Sequence, residues 1–224
     1  MHERQVILSQ EDSLSKIAGL ISPGSRVLEM GVAAGFFSAF LVNSLNCIVD
    51  ALEFDQAAAK EVARWSRTLV VTDLSRLELA QLLGDNRYDY IIATEVVVQV
   101  GDPIRLVTEI RGLLAKNGSI ILAVPNVTHF PVVAALLTEG FPYEHKGPVD
   151  NTYLRFFTRN SLCGSSLNAA SGLIVTYPLG KRSARWTLWA TARGAVRATP
   201  CAWPTMKRPR SATILWFAAH QQRL

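Results

Sequence analysis

Four carboxylates, Glu29, Glu53, Asp73 and Glu95, each stand at or just beyond the end of a short apolar run. A carboxylate at the end of a buried strand can accept both hydroxyls of a ribose. Glu29-Met30-Gly31-Val32-Ala33-Ala34-Gly35 adds a turn of small residues that opens a helical run from Phe36 to Leu45. Small side chains let the backbone come close to a ligand, and a helix start offers N–H groups without a partner inside the helix. The combination reads as a pocket for a nucleoside. Glycines fill only the first and third places of the dinucleotide trio, so the dinucleotide fingerprint does not apply.

A second group of chemically capable residues lies later, at His129, His145, Asp150, Tyr153 and Arg155. Histidine is the natural base near neutral pH. His129 follows Pro125-Asn126 directly and is the first choice for that role. Its competing role is that of a loop histidine capping the helix that contains Val132. Asp150 and Tyr153 flank a short polar segment and can orient a hydroxyl. Tyr143, with Phe156 and Phe157, can line an apolar floor, although both phenylalanines fit a core equally well. Arg155 can clamp an anion through its rigid fork or pair with Asp150. Cys47, Cys163 and Cys201 have no local partners, so neither a metal site nor a disulfide framework is expected.

The elements that must position these groups alternate. Helical spacing at Leu14, Ile17, Ala18 and Ile21 ends at Pro23-Gly24. Strands are expected at 26–30, 47–53, 68–71, 88–94 and 119–124. Helices are expected at 36–45, 56–66, 74–83 and 103–114, the last one ending at Lys116-Asn117-Gly118. Strands that are apolar on both faces, separated by helices, imply a parallel sheet covered on both sides. Ligands of such sheets sit beyond the carboxyl ends of the strands, where all four carboxylates fall. Past residue 125 a helix is expected at 132–137, a polar and aromatic loop at 140–157, and another helix over 161–170. Strand candidates at 173–177 and 213–218 would be neighbours at the edge of the sheet.

Charge divides the chain of 224 residues. Residues 1–150 hold 12 Lys/Arg and 18 Asp/Glu, whereas 151–224 hold 11 Lys/Arg and no acid at all. Four of the five tryptophans, Trp186, Trp189, Trp203 and Trp216, also lie in the basic third. That third reads as an ordinary edge loop, as a surface for a protein partner or anionic lipid, or, least favoured, as a nucleic-acid surface. The expected division is a core at 1–178, a basic Arg-, Pro- and Trp-rich loop or insertion at 179–212, and a last edge strand within 213–224. The opening MHERQVILSQEDS is too charged for a secretion signal, and no long apolar run reads as a membrane span, so a cytoplasmic location is expected.

Several ordered blocks resemble class I S-adenosylmethionine-dependent methyltransferases. VLEMGVAAG is similar to their glycine turn, with Ala33 in place of the middle glycine. ALEFD resembles the element that holds the cofactor ribose, and VVTDL the element near the adenine. RYDYIIATEVVVQVGDP and IRGLLAKNGSIILAVPN resemble the fourth- and fifth-strand segments. GPVDNTYLRFFTRNSL is similar to a block of the branch associated with saccharides and natural products.

The resemblance implies a doubly wound α/β fold with a mostly parallel seven-stranded sheet and an antiparallel edge strand. It implies S-adenosylmethionine held by Glu29, Gly31, Ala33, Gly35, Glu53, Asp73, Leu74 and Glu95. The implied reaction is methyl transfer to a small-molecule or sugar-type acceptor, with His129, Asp150 and Tyr153 catalytic and Tyr143 and Arg155 binding the acceptor. The chain departs from the pattern at Ala33, Val98, Gln99 and Tyr153, the last two standing where the branch has histidine. A second reading follows: a protein of the same fold that binds the cofactor and has lost turnover.

Overall fold

The computed structural model describes residues 13–74, 78–138, 140–141, 143–145, 147–158 and 161–162, and the backbone of 174–177 and 213–217. The body of the sheet has five strands: β1 (Arg26–Met30), β2 (Ile48–Glu53), β3 (Thr68–Val71), β4 (Tyr88–Thr94) and β5 (Leu114–Pro125). They lie in the order β3-β2-β1-β4-β5 and all run parallel. Helices stand between them: α1 (Ser13–Ala18) precedes β1, α2 (Phe36–Leu45) follows it, and α3 (Gln56–Val62) follows β2. Next come α4 (Leu79–Leu83) after β3, and α5 (Val96–Gln99) and α6 (Pro103–Gly112) after β4. Each helix returns the chain to the same end of the sheet, so consecutive strands point the same way.

This corrects the antiparallel edge expected of the seven-stranded sheet. Two further short strands, β6 (Ile174–Tyr177) and β7 (Thr213–Phe217), continue beyond β5 in the order β7-β6, and both register in parallel. No antiparallel pair occurs among the described strands. The expected helix over 161–170 and the basic segment 179–212 fall largely or wholly outside the described residues.

Alternation along each strand divides the core between the two faces. Leu28, Met30, Ile91, Ala93, Ile120 and Leu122 pack on the side of α4, α5 and α6. Val27, Val49, Ile92, Ile121 and Ala123 pack against Ile17, Phe37 and Leu41 of α1 and α2. Local chemistry fixes the helix starts. The Asp55 carboxylate accepts the Ala57 N–H at 2.7 Å, and Asp102 accepts that of Arg105 at 3.0 Å ahead of Pro103.

Lys116-Asn117-Gly118 does not end α6, as expected, but lies inside β5. Asn117 is left-handed (φ 72°), and the ladder with β4 shifts register between Tyr88 and Tyr90. A Cβ on Gly118 would stand 2.7 Å from the Tyr88 carbonyl oxygen, so only glycine lets the two backbones come this close.

After β1 the chain builds outward through β2 and β3, then crosses back to place β4 on the other side of β1. That reversal opens a crevice above the carboxyl ends of β1 and β4. Beyond β5, α7 (Phe130–Thr138) leads into the 140–158 segment, which carries isolated bridges Asn126↔Phe157 and Glu144↔Asp150.

Candidate active site

The turn from β1 into α2 is forced by close packing. Gly31 has φ 72°, and a Cβ there would lie 2.8 Å from Val96 Cγ2 and 3.3 Å from the Thr94 oxygen. Gly35 has φ 73°, and a Cβ would meet Val62 Cγ2 at 3.0 Å. Both positions require glycine. Ala33 between them is also left-handed, with φ 47°. A methyl in that conformation costs about 1–2 kcal/mol. Ala33→Gly is therefore expected to raise the unfolding free energy by about 1 kcal/mol, and unchanged thermal and urea melts would contradict it.

Glu53 anchors this turn from the next strand. Its Oε2 accepts the Ala33 N–H at 3.0 Å, while Oε1 accepts those of Phe54 at 2.8 Å and Asp55 at 2.9 Å. Three backbone donors hold the carboxylate in place, and a carboxylate has about four acceptor sites. Gly35 caps α2 and, as a glycine, offers no side-chain acceptor to the first N–H groups of that helix.

Glu29 sits deeper and is buried. Its Oε2 accepts the Ser38 hydroxyl of α2 at 2.5 Å. Burial raises its pKa from 4.5 to about 7, against the lowering pull of Ser38 and with a further push from the Glu53 charge. The sign is the reverse of the usual carboxylate case. The folded protein holds this proton more tightly than the unfolded chain does, so Glu29 weakens stability as pH rises from about 4.5 to about 7. Glu29→Gln is expected to flatten that part of the stability–pH curve, and an unchanged curve would contradict it.

Asp73 lies two residues past β3 and is exposed, while Leu74 beside it joins the core. Glu95 follows β4, left-handed at φ 60°, and begins α5. Its Oε2 accepts the Tyr153 hydroxyl at 2.9 Å in a part-buried bond. Loss of water around the Glu95 carboxyl raises its pKa; the Tyr153 bond pulls it down and the Asp150 charge pushes it up. Tyr153 is buried, and burial with the Glu95 charge holds its phenol well above the ordinary value. A neutral tyrosine that donates to a carboxylate is a positioning group rather than a base.

The remaining residues singled out in the sequence separate. Asp150 Oδ1 accepts the Thr152 N–H at 2.8 Å and its hydroxyl at 2.6 Å. Arg155 does not pair with Asp150; its Nη2 donates to the Gly101 carbonyl at 2.6 Å. His129 starts α7: its carbonyl accepts the N–H groups of Val132 at 3.0 Å and Val133 at 3.1 Å. Tyr143 is exposed and stacks in a tilted pair with Phe141 at 4.7 Å. Phe157 is buried in the core, and Phe156 is partly buried against it.

Two contributors escaped the sequence reading. Ser38 is a lone polar residue among the buried positions of α2, beside Phe37 and Leu41, and that was its signal. Phe141 carried none, because its aromatic partners lie on separate turns of a loop.

The family model described as a methyltransferase domain matches residues 2–174. The chain belongs to this family, as a class I S-adenosylmethionine-dependent methyltransferase-like domain. It is 25% identical over 131 residues to the glycine/sarcosine/dimethylglycine N-methyltransferase of Actinopolyspora halophila, covering 55% of this chain and 23% of that protein. It thus spans less than a quarter of that relative. A Thermotoga maritima methyltransferase, described as a possible histamine N-methyltransferase, superposes with a TM-score of 0.52 at 19% identity, over 75% of each chain. The [4+2]-cyclase SpnF superposes with a TM-score of 0.50 at 18% identity, over 70% of this chain and 56% of that one. At these identities the structural likeness establishes the fold. Family and fold together point to a capacity to bind S-adenosylmethionine. Among the described residues no helix is long and apolar enough to cross a membrane.

Proposed function

We propose that this protein transfers a methyl group from S-adenosylmethionine to a small-molecule acceptor. The observation that carries the proposal is the Glu53 carboxylate, pinned by the N–H groups of Ala33, Phe54 and Asp55 at the mouth of the crevice. The residues present suit the cofactor. Glu53 would take its ribose, the segment Gly31 to Gly35 its amino-acid end, and Asp73 with Leu74 its adenine side. When bound, S-adenosylmethionine supplies a methyl group on a positively charged sulfur.

The protein's part is to align and to exclude water. Gly31 and Gly35 let the backbone close on the ligand. Glu53 and Glu95 favour a cation in the crevice. Tyr153 holds Glu95 at the side where an acceptor enters, and Tyr143 and Arg155 border that entrance. His129 is the proposed base for an acceptor that must lose a proton, with Asp150 orienting it. The saccharide-type acceptor rests on the GPVDNTYLRFFTRNSL block, while the name of the Actinopolyspora relative points to amines.

Calorimetry with S-adenosylhomocysteine tests the reading. Micromolar affinity, about −8 kcal/mol at 1 μM, is expected, and no binding at millimolar ligand would overturn it. For His129 the test is turnover: His129→Ala should lose it while keeping cofactor affinity. A second reading, binding without turnover, is favoured by the left-handed Ala33 in the turn nearest the cofactor. Cofactor affinity without methylation of any acceptor offered would support it.

A further inference from the structure

Beside the crevice, the loop after α7 leaves a wall of aromatic rings uncovered. Tyr143 is 64% exposed and Phe141 is 41% exposed. Phe156 meets Phe141 edge-on at 5.1 Å and Tyr143 at 6.4 Å, and Tyr153 packs on Phe156 at 6.3 Å. The wall therefore runs without a break to the Tyr153 hydroxyl and, through its 2.9 Å hydrogen bond, to Glu95. Large aromatic surfaces left open next to a polar cleft mark a place where something binds.

Among the described residues, Glu95 and Asp150 bring two carboxylates to the wall and Arg155 brings a guanidinium. Glu95 Oε1 and Asp150 Oδ2 accept no hydrogen bond from any described residue, since Tyr153 donates to Oε2 and Thr152 donates to Oδ1. Tyr153 ties the two residues together, its hydroxyl donating to Glu95 at 2.9 Å and its N–H to the Asp150 carbonyl at 3.1 Å. Arg155 is turned away, its Nη2 donating to the Gly101 carbonyl. Carboxylates gathered on one side of a wall attract a cation and ease their mutual repulsion by doing so. A neutral hydroxyl gives no such relief. Aromatic faces add attraction for the same cation through their quadrupoles.

We propose that the Phe141, Tyr143 and Phe156 rings, with the Glu95 and Asp150 carboxylates, form an acceptor subsite for an organic ammonium group. The inference rests on the methyl-transfer reading and names the class of its acceptor as a basic amine; a sugar-type acceptor must then carry an amino group. The rings hold the organic part, and the carboxylates fix the nitrogen beside the end of β4. Glu95 and Tyr143 are specificity-determining residues in this arrangement.

The probes are benzylamine, protonated at pH 8, and its neutral counterpart benzyl alcohol, titrated into the full chain by ligand-observed NMR with and without S-adenosylhomocysteine. Benzylamine is expected to bind about tenfold more tightly than the alcohol. Glu95→Gln should abolish that preference. Tyr143→Leu, a change at an exposed position that leaves folding intact, should weaken the amine several-fold and leave S-adenosylhomocysteine affinity unchanged. Equal binding of both probes, binding of neither, or a preference that survives both substitutions would overturn the subsite. S-adenosylhomocysteine titrated into the same samples separates the two ideas. Its failure to bind, alongside selective capture of benzylamine, counts against methyl transfer and upholds the ammonium site.

Discussion

Calorimetry on Glu53→Ala is expected to show cofactor affinity reduced by about 1–3 kcal/mol, roughly 5- to 150-fold. The substitution removes the group proposed to hold the ribose. It also leaves the N–H groups of Ala33, Phe54 and Asp55 without the acceptor that they share. The Ala33 N–H matters most, because that turn is already left-handed at a residue with a methyl group. Without the tie to Glu53, the turn has less reason to keep its ligand-ready shape. Glu53→Gln keeps one amide oxygen and should fall between wild type and alanine. Unchanged dissociation constants in both variants would remove Glu53 from the site.

The largest loss of stability is expected at Asp50. This carboxylate is buried within β2 and receives Arg67 through both Nε, at 2.9 Å, and Nη2. The Tyr88 hydroxyl, itself buried, donates to it at 2.9 Å. Burial alone would raise the Asp50 pKa, but the hydrogen bonds from Arg67 and Tyr88 prevail and hold it below 3.8. Asp50→Ala leaves the phenol unpaired and Arg67 without its partner. The cost should be about 3 kcal/mol, the low end for breaking a buried pair, because Arg67 is half open to water. The pH dependence has a definite sign. A depressed folded pKa stabilises at neutral pH, and that contribution disappears as pH falls through the folded value. Asp50→Ala should therefore flatten the acid limb of the unfolding curve. A variant with the wild-type urea midpoint would show that the pair contributes nothing.

The carboxyl ends of the strands were legible because burial on both faces and helical spacing leave few places for polar residues. Glu29, Glu53 and Glu95 had to stand at strand ends, and Gly31 and Gly35 had to turn the chain. Other features depend on what meets across long separations. Tyr153 and Glu95 are bonded, yet nothing in the spacing of either joins them. Arg155 had two partners in prospect, and the structure gives it a third, the Gly101 carbonyl. The Lys116-Asn117-Gly118 turn imitated a helix end because asparagine and glycine favour the same left-handed backbone in a bulged strand. Strand direction at the edge failed for a similar reason. A run such as Thr213 to Phe217 has the same apolar content whichever way it lies, and the partner strand alone decides. Ala33 posed a question that only backbone angles answer.

The strand order has a kinetic consequence. Within the five-stranded body, β1 with β2, β2 with β3, and β4 with β5 are each separated by one crossover. Val27 of β1 must find Tyr90 of β4 across the widest stretch of chain in that body. Closing long loops slows folding, so the halves β1-β2-β3 and β4-β5 can each assemble before they join. The crevice straddles the seam where they meet. A half-assembled chain has the Gly31–Gly35 turn and Glu53 on one piece and Glu95 on the other, with nothing between them to recognise. A molecule that spans the seam from the Gly31–Gly35 turn to Glu95 would act as a late clasp that slows the parting of the two halves.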